Sequence, residues 1–127
     1  MGSLTDYFEN KINGHVFSGV AWTPPTTFYA SLFTVAPGEA GGGTEATAGA
    51  YARVAFTCST TGSVSSNVAI VEFPVSTTDH GAIAAIGIHD ALTAGNLCAF
   101  HVLSPTKTYN IGETIRVPVG QLTLTLD

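Results

Sequence analysis

Charge is the scarcest ingredient of this chain. Only 10% of its 127 residues are Asp, Glu, Lys or Arg, against about 25% in an ordinary globular domain. Four Lys/Arg scattered among nine Asp/Glu give a formal charge of −5. A nucleic-acid binder needs clustered cations to displace counterions, and this chain has no such cluster, so nucleic acid is excluded as a partner. Hydrophobic residues make up 45% of the chain, which excludes a disordered tail, because such tails join high charge to low hydrophobicity. Cysteine is nearly absent. Cys58 and Cys98 could form one disulfide if adjacent, but with no sign of an oxidising compartment buried free thiols are the default reading.

Long apolar runs are missing too. None approaches the roughly 20 residues of a membrane-spanning helix, and the start, Met1 to Asp6, lacks the basic and apolar regions of a signal peptide. Gly2 invites myristoylation, but Asp6 stands where that motif needs Ser or Thr. No membrane partner is expected. The length suits one ordinary domain.

What remains is Thr, Ser, Gly and Ala around an apolar core. A surface of this kind hydrogen-bonds well and brings few ions to desolvate, which suits packing against copies or partners. A plain Thr-rich all-β domain has the same composition, because Thr favours strands.

The first segment reads as a short helix. Ser3 serves as its N-cap with Asp6 three residues on, Leu4, Phe8 and Ile12 form one apolar stripe, and Gly14 supplies the stop. Ten or so residues make a helix of about 15 Å, too short to persist alone. It must dock, either on its own domain or on a neighbouring subunit. Residues 15–25 form an apolar connector ending at Pro24-Pro25, which lacks two backbone donors and favours an extended path. Val16, Phe17, Val20 and Trp22 are more apolar than a free linker requires, and cover a sheet edge or a partner.

From Thr27 onward the pattern changes to short strands between turn clusters: 27–34, 51–57, 68–73, 83–89, 97–103, 107–110, 114–117 and 121–126. A Gly-rich loop follows the first, and a Ser/Thr/Gly stretch divides the second from the third. Asp90 to Asn96 is a hairpin-sized loop with Asp at one end and Gly-Asn at the other. About eight strands with no helix between them indicate an all-β, antiparallel sandwich or jelly-roll-like fold. The short helix and extended arm precede it. Residues 1–25 are thus the helix and arm, and 26–127 the sandwich domain.

The familiar chemical signatures fail on spacing. There is no Gly-x-Ser-x-Gly turn, and the glycine-rich loop lacks the Gly-Lys-Ser/Thr of a phosphate grip. His15, His80, His89 and His101 include no i, i+4 pair. His89 and His101 lie on strands joined by one hairpin and so face each other across a ladder; histidines satisfied by Thr hydroxyls or backbone are the simpler account of that pair. Asp79 and Asp90 read as turn-makers rather than paired acids. Trp22, Tyr29, Tyr51 and Tyr109 are spread too widely for a sugar platform. No catalytic residue, cofactor or metal ligand is assigned. Arg53 and Arg116 stand out, each in a strand pattern almost free of ions. They protect an edge, or else make a bidentate carboxylate contact across a subunit boundary.

Several runs carry a resemblance. Phe28 to Pro37, Gly41-Gly42-Gly43-Thr44-Glu45, Ala50-Tyr51-Ala52-Arg53, Gly87-Ile88-His89-Asp90-Ala91 with Gly95-Asn96-Leu97, and Gly120 to Leu126 resemble small virion proteins of tailed phages. So does Leu4-Thr5-Asp6-Tyr7 with Asn10-Lys11. Proteins of this kind are labelled tail-fibre-like or head-decoration proteins. His89 departs from the pattern, where an aromatic such as Phe is expected. The resemblance implies a non-enzymatic virion component, assembled in the cytoplasm of a bacterial host. The leading expectation is a capsid decoration (cement) protein contacting the major capsid protein or another virion protein, and copies of itself, as a trimer. A tail or head fibre adaptor and a carbohydrate-binding module on a host-facing fibre are the alternatives. Leu4, Tyr7, Phe8, Val16, Phe17, Trp22, Arg53 and Arg116 are the candidate interface residues.

Overall fold

The computed structural model describes residues 3–126. In chain order the elements are β1 (Ser3–Leu4), α1 (Asp6–Phe17), β2 (Phe28–Val35), β3 (Thr44–Glu45), β4 (Val54–Phe56), β5 (Cys58–Thr61), β6 (Val64–Asn67), β7 (Val71–Glu72), β8 (Ala82–His89), β9 (Leu97–Thr108), β10 (Arg116–Val117) and β11 (Thr123–Thr125). Every pairing is antiparallel. The main sheet runs β1-β9-β8-β2-β3, with β4 also paired to β2; β11-β6-β5 and β10-β7 form two smaller sheets. One apolar cluster joins all three. Leu32, Ile86, Ile88 and Ala99 come from the main sheet, Val71 and Val117 from the two-stranded one, Leu122 from the chain just before β11, and Leu124 of β11 packs against them. The result is the antiparallel β-sandwich with one short helix that the turn spacing indicates.

The central strands β2 and β8 are buried on both faces, so they show continuous burial rather than alternation. Ala30 pairs with Ile88 and Leu32 with Ile86 on the core side; Ser31 pairs with Gly87 on the other. Gly87 matters for space. A Cβ there would stand 2.5 Å from Phe33 Cε1 and 2.6 Å from Ser31 Oγ. Its bare Cα lets the Phe33 ring lie across the sheet and stack on His89, with centroids 6.0 Å apart.

Several expected boundaries move. The Ser/Thr/Gly divider is itself a hairpin: Thr61 pairs with Val64 around Gly62-Ser63, and Gly62 has φ +62°. Two loop residues beginning with Gly are a hairpin signal in their own right. The first half of the strand expected at 107–110 is the end of the long β9, and Tyr51 to Arg53 is irregular chain. The final strand shortens to 123–125; Leu122 is buried, Leu124 half-buried and Leu126 exposed.

The helix also shifts. Ser3 and Leu4 are taken up by the edge of β9, pairing with Phe100 and Ala99, so the N-cap passes to Thr5, whose Oγ1 accepts from the Phe8 N–H. The same hydroxyl lies 2.6 Å from the Leu97 carbonyl oxygen, and the Thr5 N–H donates to Cys98 at 2.9 Å. Gly14 does not stop the helix. Its carbonyl instead accepts from Ser18 and Val20, closing the helix one turn later. Among the described residues no helix is long and apolar enough to cross a membrane.

Candidate functional site

The eight candidate interface residues divide among four places. Leu4 and Phe8 pack inward, with Leu4 against the core. Phe8 holds Trp22 edge-on at 5.7 Å and Phe28 at 6.1 Å. Trp22 also meets the His15 ring at 6.2 Å. This aromatic knot straps the arm onto the helix and leaves Trp22 half-buried. Beyond it, at the end of α1, the apolar residues turn outward: Val16 is 62% exposed, Phe17 82% and Val20 59%. No residue of α1 is fully buried.

Beside the helix an apolar groove of about 410 Å³ separates α1 from the three-stranded sheet. Leu4, Phe8, Ile12, Phe28, Leu124 and Leu126 supply its apolar walls, and none of its lining residues carries a charge. Cys58 opens onto it, its thiol pKa raised by burial. The sequence stripe Leu4-Phe8-Ile12 is thus one wall of the groove.

Tyr7 faces a different cleft, of about 590 Å³, between the start of α1, the glycine-rich loop and the end of β8. Asp6, Glu39, Glu45 and His89 also line it. His89 is 6% exposed, with Nδ1 2.9 Å from Ser31 Oγ. Burial first, and the nearby Arg53 cation second, push its pKa down to about 4, so the ring is neutral at pH 7. The register pairs His89 with Leu97 and His101 with Ile86, so the two histidines do not face each other as expected. Among the described residues no group of three or more His, Cys, Asp or Glu is placed to hold a metal ion.

Arg53 occupies a third place. Its Nε donates to Glu45 Oε2 at 2.9 Å and Nη2 to Oε1 at 2.7 Å. Nη1 donates to the carbonyls of Ala91 and Ala94 at 2.9 and 2.8 Å. The bidentate carboxylate contact imagined across a subunit boundary is therefore made inside the chain. Tyr51 OH donates to the same carboxylate at 2.6 Å and accepts from the Leu32 N–H. Burial would raise the Glu45 pKa, but the hydrogen bonds from Arg53 and Tyr51 outweigh it and hold the carboxyl below its ordinary value. The network clamps the 90–96 loop, which Asp90 closes by accepting from Asn96 N–H at 2.7 Å. Arg116 pairs with its cross-strand neighbour Glu72 on the surface, where such pairs contribute little.

The remaining aromatics form no common platform. Tyr109 is fully buried with its hydroxyl donating to Pro74, and Tyr51 stacks on Phe73 at 6.3 Å. Sequence reasoning missed the groove, whose far wall comes from β5, β6 and β11. Of that sheet the sequence reading placed only the last strand, and the Gly62-Ser63 turn signal could have placed the other two.

Residues 3–125 match a family model that defines the class of the chain: a structural protein of the tailed-phage virion. The family is described as Podophage GP4 fiber I protein gp80, and the chain belongs to it. No curated protein matches the sequence.

Proposed function

We propose that this chain is a structural subunit of the phage fibre apparatus and that it works by contact with neighbouring virion proteins. The observation that carries the reading is the outward turn of Val16, Phe17 and Val20 at the end of a helix that buries no residue fully in its own chain. An isolated helix of twelve residues is marginal in water, and three large apolar side chains grouped in one short segment mark a contact surface. The low charge of the chain supports the same reading, since docking it desolvates few ions. The family's description as a fibre protein draws this reading toward the fibre and away from shell decoration.

The test is to locate and count the chain in purified particles by quantitative mass spectrometry and immunogold microscopy. Label confined to fibres, at few copies, is the expected result. Label spread over the shell at high copy would replace the fibre with capsid decoration, and absence from the particle would overturn both.

A further inference from the structure

We infer that the cleft between the start of α1, the glycine-rich loop and the end of β8 binds a neutral sugar, held on the Nε2–H of His89. The cleft shares no residue with the exposed apolar segment at the end of α1, so the site stands whether or not the chain works by subunit contact.

His89 is 6% exposed and lies in the lining of the cleft. Its Nδ1 stands 2.9 Å from Ser31 Oγ, and its ring stacks on Phe33. Among the described residues no side-chain nitrogen or oxygen is both fully buried and unpaired. Nε2 makes no hydrogen bond among them, so it is open to the cleft. Ser31 decides the tautomer. That residue is fully buried, and among the described residues its hydroxyl has Nδ1 as its hydrogen-bond partner. An O–H left there without an acceptor would carry the full cost of desolvation, so Ser31 donates to Nδ1. The ring is neutral at pH 7 and therefore carries its proton on Nε2. A ligand must bring an acceptor to it.

The remaining lining sets the class of ligand. Asp6 and Glu39 add carboxyl groups and no Lys or Arg is present, so anions are repelled. Glu45 lines the cleft as well, but its oxygens already accept from Arg53 and Tyr51. An ammonium or guanidinium would suit Asp6 and Glu39, yet it has no acceptor to offer Nε2–H. Hydroxyl groups serve both, because each donates and accepts. A sugar ring carries them side by side: one accepts from His89 while its neighbour donates to a carboxylate. Tyr7 and Asn96 add an amphipathic ring and an amide. The volume, about 590 Å³, falls in the usual range of small-molecule sites, roughly 300–1,000 Å³.

The walls are fixed before any ligand arrives. The Asp6 N–H donates to the Glu39 carbonyl at 2.9 Å, and Gly38 and Gly41 exchange two backbone hydrogen bonds at 2.9 Å. Gly43 lies so close to the preceding chain that a Cβ there would stand 2.6 Å from the Val35 carbonyl oxygen. A cleft built this way loses little conformational freedom on binding.

The experiment is an NMR titration of the full chain at pH 7 with glucose, galactose and mannose, their methyl glycosides, inorganic phosphate and lysine methyl ester. The ring nitrogen shifts of His89 are expected to place the proton on Nε2. At least one neutral sugar is expected to move the amide signals of residues 5–7, 39–43 and 95–97 saturably, with phosphate and lysine methyl ester leaving them in place. His89→Phe keeps a ring on Phe33 and removes the donor; it is expected to weaken binding about tenfold, the loss of one hydrogen bond. Thermal unfolding checks that it folds. If it does not, Glu39→Ala at an exposed position takes its place, with a similar loss expected. A methyl glycoside that binds like its parent identifies a unit of a longer glycan, and one that fails where the parent binds identifies a free sugar; either keeps the site. A proton on Nδ1, no response to any neutral sugar, an equal response to phosphate or lysine methyl ester, or binding that survives the variant overturns it. None of these outcomes bears on where the chain sits in the particle.

Discussion

Replacing Arg53 by Met tests whether the sandwich and its 90–96 loop are held by one ion-pair network. The guanidinium side chain is 9% exposed and its partner Glu45 22%. Four hydrogen bonds leave it, two to the carboxylate and two to the carbonyls of Ala91 and Ala94. Methionine keeps much of the volume but leaves a largely buried carboxylate without its cation. Breaking such a pair from one side costs roughly 3–5 kcal/mol, and because water reaches part of Glu45 the expected loss is near the lower end, about 3 kcal/mol. For a domain of this size that lowers Tm by about 10 °C. Arg53→Lys keeps the charge but not the fork, and should lose about half as much. Urea unfolding of both variants, with Glu45→Gln and the double variant closing a thermodynamic cycle, measures the coupling directly. Hydrogen exchange should rise in residues 90–96 of Arg53→Met, since the loop loses its clamp. A loss under about 0.5 kcal/mol, the scale of an ordinary surface substitution, would refute the network as an organiser of the fold.

Two further outcomes follow from the buried face around Gly87. His89 has a folded pKa of about 4 and an unfolded one of about 6.5, so the native state binds fewer protons between those values. Stability should therefore fall as pH drops from about 6.5 to about 4, by up to about 3 kcal/mol, and this contribution should level off below. Glu45, with its lowered pKa, loses its share further into acid. Urea midpoints between pH 7 and pH 3.5 should show both stages in wild type and only the more acidic one in His89→Gln; identical pH profiles would count against the assignment. Gly87→Ala should destabilise by about 1–3 kcal/mol through overpacking, because the new methyl meets Phe33 and Ser31 well inside contact distance. Calorimetry decides it, and an unchanged Tm would mean that the Phe33 ring is free to move aside.

How the site divides between sequence and structure is clearest at single residues. Phe8 and Ile12 were legible as one face because a period of about 3.6 residues projects it whatever the partner; Leu4 reaches the same groove wall from β1, where its pairing with Ala99 holds it. The Asp90–Asn96 loop was legible because Asx chemistry is local. Thr5 was not: its role as N-cap depends on β9 having already taken Ser3 and Leu4, and that pairing spans more than ninety residues. Nor was the partner of Arg53. A guanidinium in an ion-poor segment signals a carboxylate contact, but Glu45, eight residues back across an irregular turn, is selected by the path of the chain.

Sequence alone determined the class of fold. Alternating apolar residues, Gly-centred turns and scarce charge are local properties, and they are sufficient to require short antiparallel strands around one core. Only the tertiary structure decided which apolar residues were left over. Phe8 and Phe17 stand on the same short helix and are equally apolar, yet one is held between Trp22 and Phe28 and the other is 82% exposed. Hydrophobicity drives burial without direction. Whether a given ring finds cover depends on what the distant strands bring beside it, and here the sheet of β5, β6 and β11 faces the first turns of α1 and ends before the last.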